Sequence, residues 1–302
     1  MGLSNKVLLA IQKAIDTGTL TGAGLLNAED ALKFIQDLVD QSQFLSKIRS
    51  EKMTSESKNI DVMTVAARQL RKHSEGIDPG FRAAVSASRN VLTAVKCMLP
   101  VEITADVLEL NIEGEGLEDT IRMMMTMAYG NDLADLAING DEGSADPFLN
   151  INDGYVVLAK ANGASYDTNA STDWVANFGG ALDLMPNRFK ANKSAIVFMV
   201  SPNDEQAYRD TLATRETAMG DAYLVSDKTT TYQGIAVEPN EYLPDGTFLL
   251  SRYDNLVFGI HFGIKIKSDE DIFADTNQFA ITTRNDFNFA VNEAVVVGYD
   301  VP

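Results

Sequence analysis

Between Glu115 and Ile138 the chain reads EGLEDTIRMMMTMAYGNDLADLAI, a stretch too long and too regularly patterned to be anything but a helix. Leu117, Ile121, Met124, Met125 and Ala128 follow one another at helical spacing and define one expected packing face. Glu115, Glu118 and Asp119 lie in the first turn, where the positive end of the helix dipole favours carboxylates. Such a helix is roughly 35 Å long, about the width of a small domain. Gly130, Asn131 and Asp132 are poor helix formers, so a kink or early end is expected there. A rod of this kind must join two unlike parts of the molecule.

Charge distinguishes those parts. Lys47 to Lys96 holds ten Lys or Arg against five Asp or Glu, a net of +5. Val101 to Pro302 holds 12 against 33, a net of −21. The overall charge of −18 argues against nucleic-acid binding by broad phosphate neutralisation. Two readings fit the split: chance clustering on a solvated surface, or a basic arm of one subunit lying across the acidic body of the next, a head-to-tail contact that generates rings or open lattices. No run of 18 apolar residues is present, so no helix is expected to span a membrane. The start, MGLSNK, lacks both a signal-peptide core and the Ser or Thr of a myristoylation site. Cys97 stands alone, which leaves no internal disulfide and suits a reducing cytoplasm.

Upstream of the long helix, short helices are expected at Lys6–Ile15 and Ala28–Asp40. Gln43–Met63 and Arg89–Asn111 read as extended polar strands around an irregular tip at Thr64–Ser88, broken by Gly76, Pro79 and Gly80. A long polar hairpin makes a poor core by itself and borrows stability from a neighbour. Downstream, helices are expected at Gly154–Ala161, Asp173–Leu184 and Asn203–Thr214, the last capped by Asn203. Strands are expected at Ala195–Val200, Ile235–Val237, Thr247–Leu250, Leu256–Ile260, Ile264–Lys267 and Glu293–Tyr299.

Catalytic signatures are thin. The two histidines, His73 and His261, lie far apart in sequence, and the nucleophile-elbow, zincin, phosphate-loop and dinucleotide motifs are all missing. Cys97 sits among Val95, Met98 and Leu99, the setting of a small buried hydrophobe. Asn150, Asn152, Asp153 and Gly154 have a calcium-loop composition without its spacing or closing Glu. Neither catalytic residue, cofactor nor metal is expected. Met123, Met124, Met125 and Met127 read as gap-filling core or subunit contact, and Trp174 as core.

Two segments resemble tailed-bacteriophage major capsid proteins. Tyr232–Ile260, YQGIAVEPNEYLPDGTFLLSRYDNLVFGI, is similar to that family's Gly-Ile-x-Val, Leu-Pro and Asn-Leu-Val-x-Gly-Ile succession. Met185–Leu212 resembles its Leu-Pro-x-x-Tyr-x-x-Asn…Met-Ser pattern before a helix, with Met185 and Phe189 in place of Leu and Tyr. The order of elements resembles the Hong Kong 97-type capsid fold, an α+β architecture, along nearly the whole chain. The resemblance implies an N-terminal arm at 1–45, an extended E-loop hairpin at 46–105 and a P-domain with spine helix at 106–152. It further implies an α/β A-domain at 153–260 and a return to P-domain strands at 261–302.

The function so implied is a non-enzymatic shell subunit. It would form hexamers and pentamers of an icosahedral head around double-stranded DNA, with separate scaffold, portal and decoration or cement proteins. The implied place is the virion, assembled in the host bacterial cytoplasm. Basic residues expected to set register at the subunit interface are Lys47, Arg49, Lys52, Lys58, Arg68, Arg71 and Lys72. An encapsulin nanocompartment shell, a tail-tube protein and a cytosolic hydrolase are the alternative readings. Enclosed cargo protein, tubular assembly, or a small oligomer with a deep polar cleft would respectively distinguish them.

Overall fold

The computed structural model describes residues 43–65, 85–104, 117–213, 230–261, 265–271 and 276–302, with single positions between 70 and 82. The helices expected at Lys6–Ile15 and Ala28–Asp40 lie outside the described residues. The described chain begins with α1 (Gln43–Lys47) and β1 (Arg49–Met53), followed by the hairpin strands β2 (Ser57–Val65) and β3 (Val85–Thr93). After β4 (Val95–Thr104) comes the long helix α2 (Leu117–Asn139).

Two sheets organise the rest. In the first, β1 pairs in parallel with β10 (Leu256–His261), which pairs antiparallel with β12 (Thr276–Phe289). β11 (Lys265–Asp271) and β4 also pair antiparallel with β12, which makes it the central strand.

The second sheet runs β5 (Ala164–Asp167), β13 (Val296–Tyr299), β9 (Phe248–Ser251), β6 (Val197–Val200), β8 (Ile235–Pro239), β7 (Thr231–Tyr232). α3 (Tyr155–Asn162), α4 (Trp174–Leu184), the short α5 (Asn187–Lys190) and α6 (Pro202–Ala213) accompany it. Strand pairing crosses the segments expected from sequence: β1 and β4 of 46–105 and β10 of 153–260 belong to the first sheet, and β13 of 261–302 to the second.

α2 runs unbroken through Gly130, Asn131 and Asp132, where a kink was expected. Tertiary packing overrides the propensity, because buried Tyr129 and Leu133 clamp the turn on either side. The buried face is not the expected one. Met125 is buried, together with Tyr129, Leu133, Ala134, Ala137 and Ile138, but Met124 and Ala128 face outward. The side chains of Leu117 and Ile121 lie outside the described residues. The expected stripe was phased on the N-terminal half; the tight core is laid down by the C-terminal half.

The first core joins α2, α3 and the first sheet, with Tyr155 packed edge-on against Phe44 and Phe287. The second lies around Phe178 of α4, which touches the rings of Trp174, Phe198, Tyr208, Tyr232 and Phe248. Trp174 is core, as expected. Asp173 caps α4 by accepting from the backbone N–H groups of Val175 and Ala176. At α6 the cap is Ser201 and not Asn203: the Ser201 hydroxyl accepts from the Asp204 N–H, and Pro202 takes the first helical position.

Candidate assembly interface

Among the described residues, the β2–β3 hairpin buries little of itself against the body. Nine rungs, from Ser57↔Thr93 to Val65↔Val85, hold the strands together over about 30 Å. Along β3 only Leu92 is buried, while Val85, Ser86, Ala87, Ser88 and Arg89 are exposed. Met63 is 79% exposed and Val85 61%, on a two-stranded ribbon over which no second layer lies among the described residues. Isolated ribbons are marginal in water, and apolar side chains held out in this way mark a surface that becomes covered.

The root is built differently. Met53, Leu92 and Val257 form a small buried cluster, flanked by Ile60, Ala94 and Ala290. A Cβ at Gly259 would come within 2.9 Å of Met53 Sδ and 3.0 Å of Leu92 Cδ1, so the absence of a side chain there lets the root seat. Above this cluster, β12 holds β3 through side chains. Asn288 Nδ2 donates to the Val91 carbonyl at 2.8 Å, and Asp286 Oδ2 accepts the Thr93 N–H at 2.5 Å. Asn90 Nδ2 donates to the Phe289 carbonyl at 2.7 Å, and Arg284 pairs with Glu56.

A second apolar exposure lies on α2, where Met123, Met124 and Met127 are each about half exposed. These unbranched thioether side chains suit contact with a partner whose shape varies.

The basic residues of the expected interface are largely spoken for within the subunit. Lys47 Nζ lies 2.6 Å from Glu238 Oε2 and 5.4 Å from the Tyr253 ring centre. Arg49 and Lys58 both bind Glu51, at 2.5 and 2.6 Å. Lys58 also donates to the Lys52 carbonyl, and Arg89, not foreseen as an interface residue, pairs with Asp61 across the hairpin. Lys52 and Lys72 are exposed, and Arg68 and Arg71 lie outside the described residues. Lys47, Arg49 and Lys58, expected to face a neighbour, thus each have a carboxylate partner within the subunit.

Nothing among the described residues resembles a reaction centre. Cys97 is buried against Asn285, and burial pushes its thiol up to about 11, away from the thiolate a nucleophile needs. His261 ends β10, and His73 lies outside the described residues. No group of three or more His, Cys, Asp or Glu gathers as a metal site among the described residues. The acidic loop at 141–153 is closed by its own hydrogen bonds, Asp153 accepting the Glu142 N–H and Asn150 donating to the Glu142 carbonyl. No described helix is long and apolar enough to cross a membrane.

No family model matches the chain. A Bacillus subtilis (strain 168) protein that carries the name prophage capsid protein YqbE is 26% identical over 290 residues, covering 92% of this chain and 93% of its own. Among solved structures, the satellite phage P4 procapsid superimposes with a TM-score of 0.69 at 13% identity, over 99% of this chain and 96% of that one. The capsid of an empty GTA particle gives 0.60 at 12% identity over 95% of each chain. Gordonia phage Cozz gives 0.61 at 16% identity over 86% of each. The chain has the Hong Kong 97-type capsid fold, α+β throughout, as the sequence resemblance implied.

Proposed function

We propose that this chain is a major capsid protein that assembles into hexamers and pentamers of an icosahedral head enclosing phage double-stranded DNA. One observation carries the reading: a subunit matching a procapsid chain over almost its entire length holds out a hairpin that its own core leaves uncovered. Covering that hairpin with a neighbouring copy is the simplest way to bury Met63, Val85 and Val91. Each contact is modest, and closure of the lattice multiplies them, so that assembly is reversible step by step and stable as a whole.

In this reading the subunit does no catalysis, and scaffold, portal and decoration or cement proteins are separate chains. The in-chain ion pairs described above leave apolar contact, more than charge, to drive association. Electron microscopy of the expressed chain, with and without a scaffold partner, tests it. Closed particles that lose their ability to form when residues 62–88 are replaced by an Asn-Gly turn are expected. A monomer that stays compact at every concentration would overturn the reading. Particles found to hold cargo protein in place of DNA would make the chain a nanocompartment shell.

A further inference from the structure

Asparagine or aspartate followed by glycine is the dipeptide most prone to rearrange its own backbone. With no Cβ in the way, the glycine nitrogen can lose its proton and attack the carbonyl carbon of the preceding side chain. Ammonia leaves from Asn, or water from Asp, and a five-membered succinimide closes. Water then reopens the ring at either carbonyl, and one product, isoaspartate, carries the main chain through the side-chain carbon. The chain contains four such pairs: Asn139–Gly140, Asp153–Gly154, Asn162–Gly163 and Asp245–Gly246. In each, the glycine N–H is already engaged. Gly140 donates to the Leu136 carbonyl at 2.9 Å, Gly154 to the Gly140 carbonyl at 2.8 Å and Gly163 to the Ala159 carbonyl at 2.9 Å. Those acceptors are backbone. At the fourth pair the acceptor is a side chain: Gly246 N–H donates to Asp204 Oδ2 at 2.9 Å.

Asp204 stands in the first turn of α6, next to Asn203. Asn203 Nδ2 donates to Asp245 Oδ2 at 3.0 Å, so one turn of helix grips both the nitrogen that would attack and the carboxyl it would attack. Bonds from Ser201 and Asn203 hold the Asp245 carboxyl below its ordinary range, and an ionised carboxylate has no hydroxyl to release as water. Asp204 is buried, and both burial and the charge of Asp245 oppose its ionisation, so its placement works against stability. The glycine cannot be exchanged for a safer residue. Gly246 has φ +76°, and a Cβ there would run into the Val301 carbonyl. Asp245 itself is exposed to the water that ring opening consumes.

We propose that Asp245–Gly246 is a latent isomerisation site, and that Asn203 and Asp204 keep it shut by holding its two reacting groups. Isomerisation there would lengthen the main chain in the turn whose Gly246 carbonyl accepts the Val301 N–H, and so loosen the segment that follows β13. The inference concerns the single subunit and stands whether or not the chain builds a shell.

Prolonged warm incubation of the folded full-length chain at neutral pH tests it. Peptide mass spectrometry with enzymatic methyl labelling of isoaspartate reads all four pairs in one sample. Asp204→Leu fills the space without an acceptor. Isoaspartate at position 245 is expected to rise on the order of tenfold, the opening that one bond to a charged acceptor holds back, with the other three pairs unchanged. Asp204→Asn keeps an acceptor oxygen and is expected to stay near the wild-type level. Asn203→Ala, at an exposed position, is expected to give a smaller rise confined to the same pair. No rise at position 245 in Asp204→Leu would overturn the proposal, and a fall would make Asp204 a base that promotes the reaction. Should Asp204→Leu raise all four pairs alike, the fold has been lost, and Asn203→Ala decides: without a selective rise there, the proposal fails.

Discussion

Lys47 Nζ and the Tyr253 hydroxyl converge on one atom, Glu238 Oε2, at 2.6 and 2.7 Å. The contact spans 191 positions of sequence and ties α1, where the described chain begins, to β8 of the second sheet. A lysine expected to find its partner on a neighbouring copy is thus tethered within its own subunit.

Lys47→Ala is expected to cost no more than ~1 kcal/mol, because the lysine side chain is 46% exposed. Glu238→Ala leaves the largely buried Tyr253 hydroxyl without its acceptor and is expected to cost more, about 1–2 kcal/mol. Burial works against the Glu238 charge, yet bonds from Lys47 and Tyr253 outweigh it and hold the carboxyl below its ordinary range. The stability this adds is present above that ordinary range and lost as pH falls through it. Urea titrations at about pH 7 and pH 3.5 should show the Glu238→Ala penalty shrinking on acidification; a constant penalty would rule out a charged contact.

Phe178→Ala removes the ring on which five other aromatic side chains converge, and is expected to cost about 3–5 kcal/mol. The midpoint of urea unfolding measures it. A loss below about 1 kcal/mol would mean that the second core is not organised around this ring.

Replacing Met123, Met124 and Met127 together by Gln should leave subunit stability within about 0.5 kcal/mol, because all three side chains are largely out of the core. Leu133→Ala on the buried side of the same helix is expected to cost about 2–5 kcal/mol. Sedimentation of the triple variant should show assembly impaired while thermal unfolding is unchanged. Normal particles would remove this face from the interface.

Cys97 should resist thiol reagents in the native protein at about pH 8 and react at once in denaturant, since its thiol is both buried and raised to about 11. Colorimetric thiol titration distinguishes the two states, and fast native labelling would contradict the burial.

Much of this architecture could be read from the chain because local pattern and tertiary demand agreed. The place of α4, the all-apolar β6 and the length of α2 are of this kind. The longest of the described strands, β12, is the element that local sequence hides best. Its inward positions are Phe279, Ile281, Thr283, Asn285, Phe287 and Phe289, an unbroken alternation interrupted chemically by Thr283 and Asn285. Those two are tolerated because Tyr129 bonds to the Thr283 hydroxyl and the Cys97 thiol donates to Asn285 Oδ1. Partners 154 and 188 positions distant cannot be seen in a local window. Composition likewise gives the surplus of basic residues but not which carboxylates, such as Glu51 and Glu238, stand beside them within the subunit.

β12 lies at the centre of the first sheet and β13 inside the second, so both sheets depend on strands from one stretch, 276–302. Pairings between distant segments form slowly and late. Neither layer can close before that stretch has found its place between strands made far earlier in the chain: the two halves of the molecule are buttoned by the same thread.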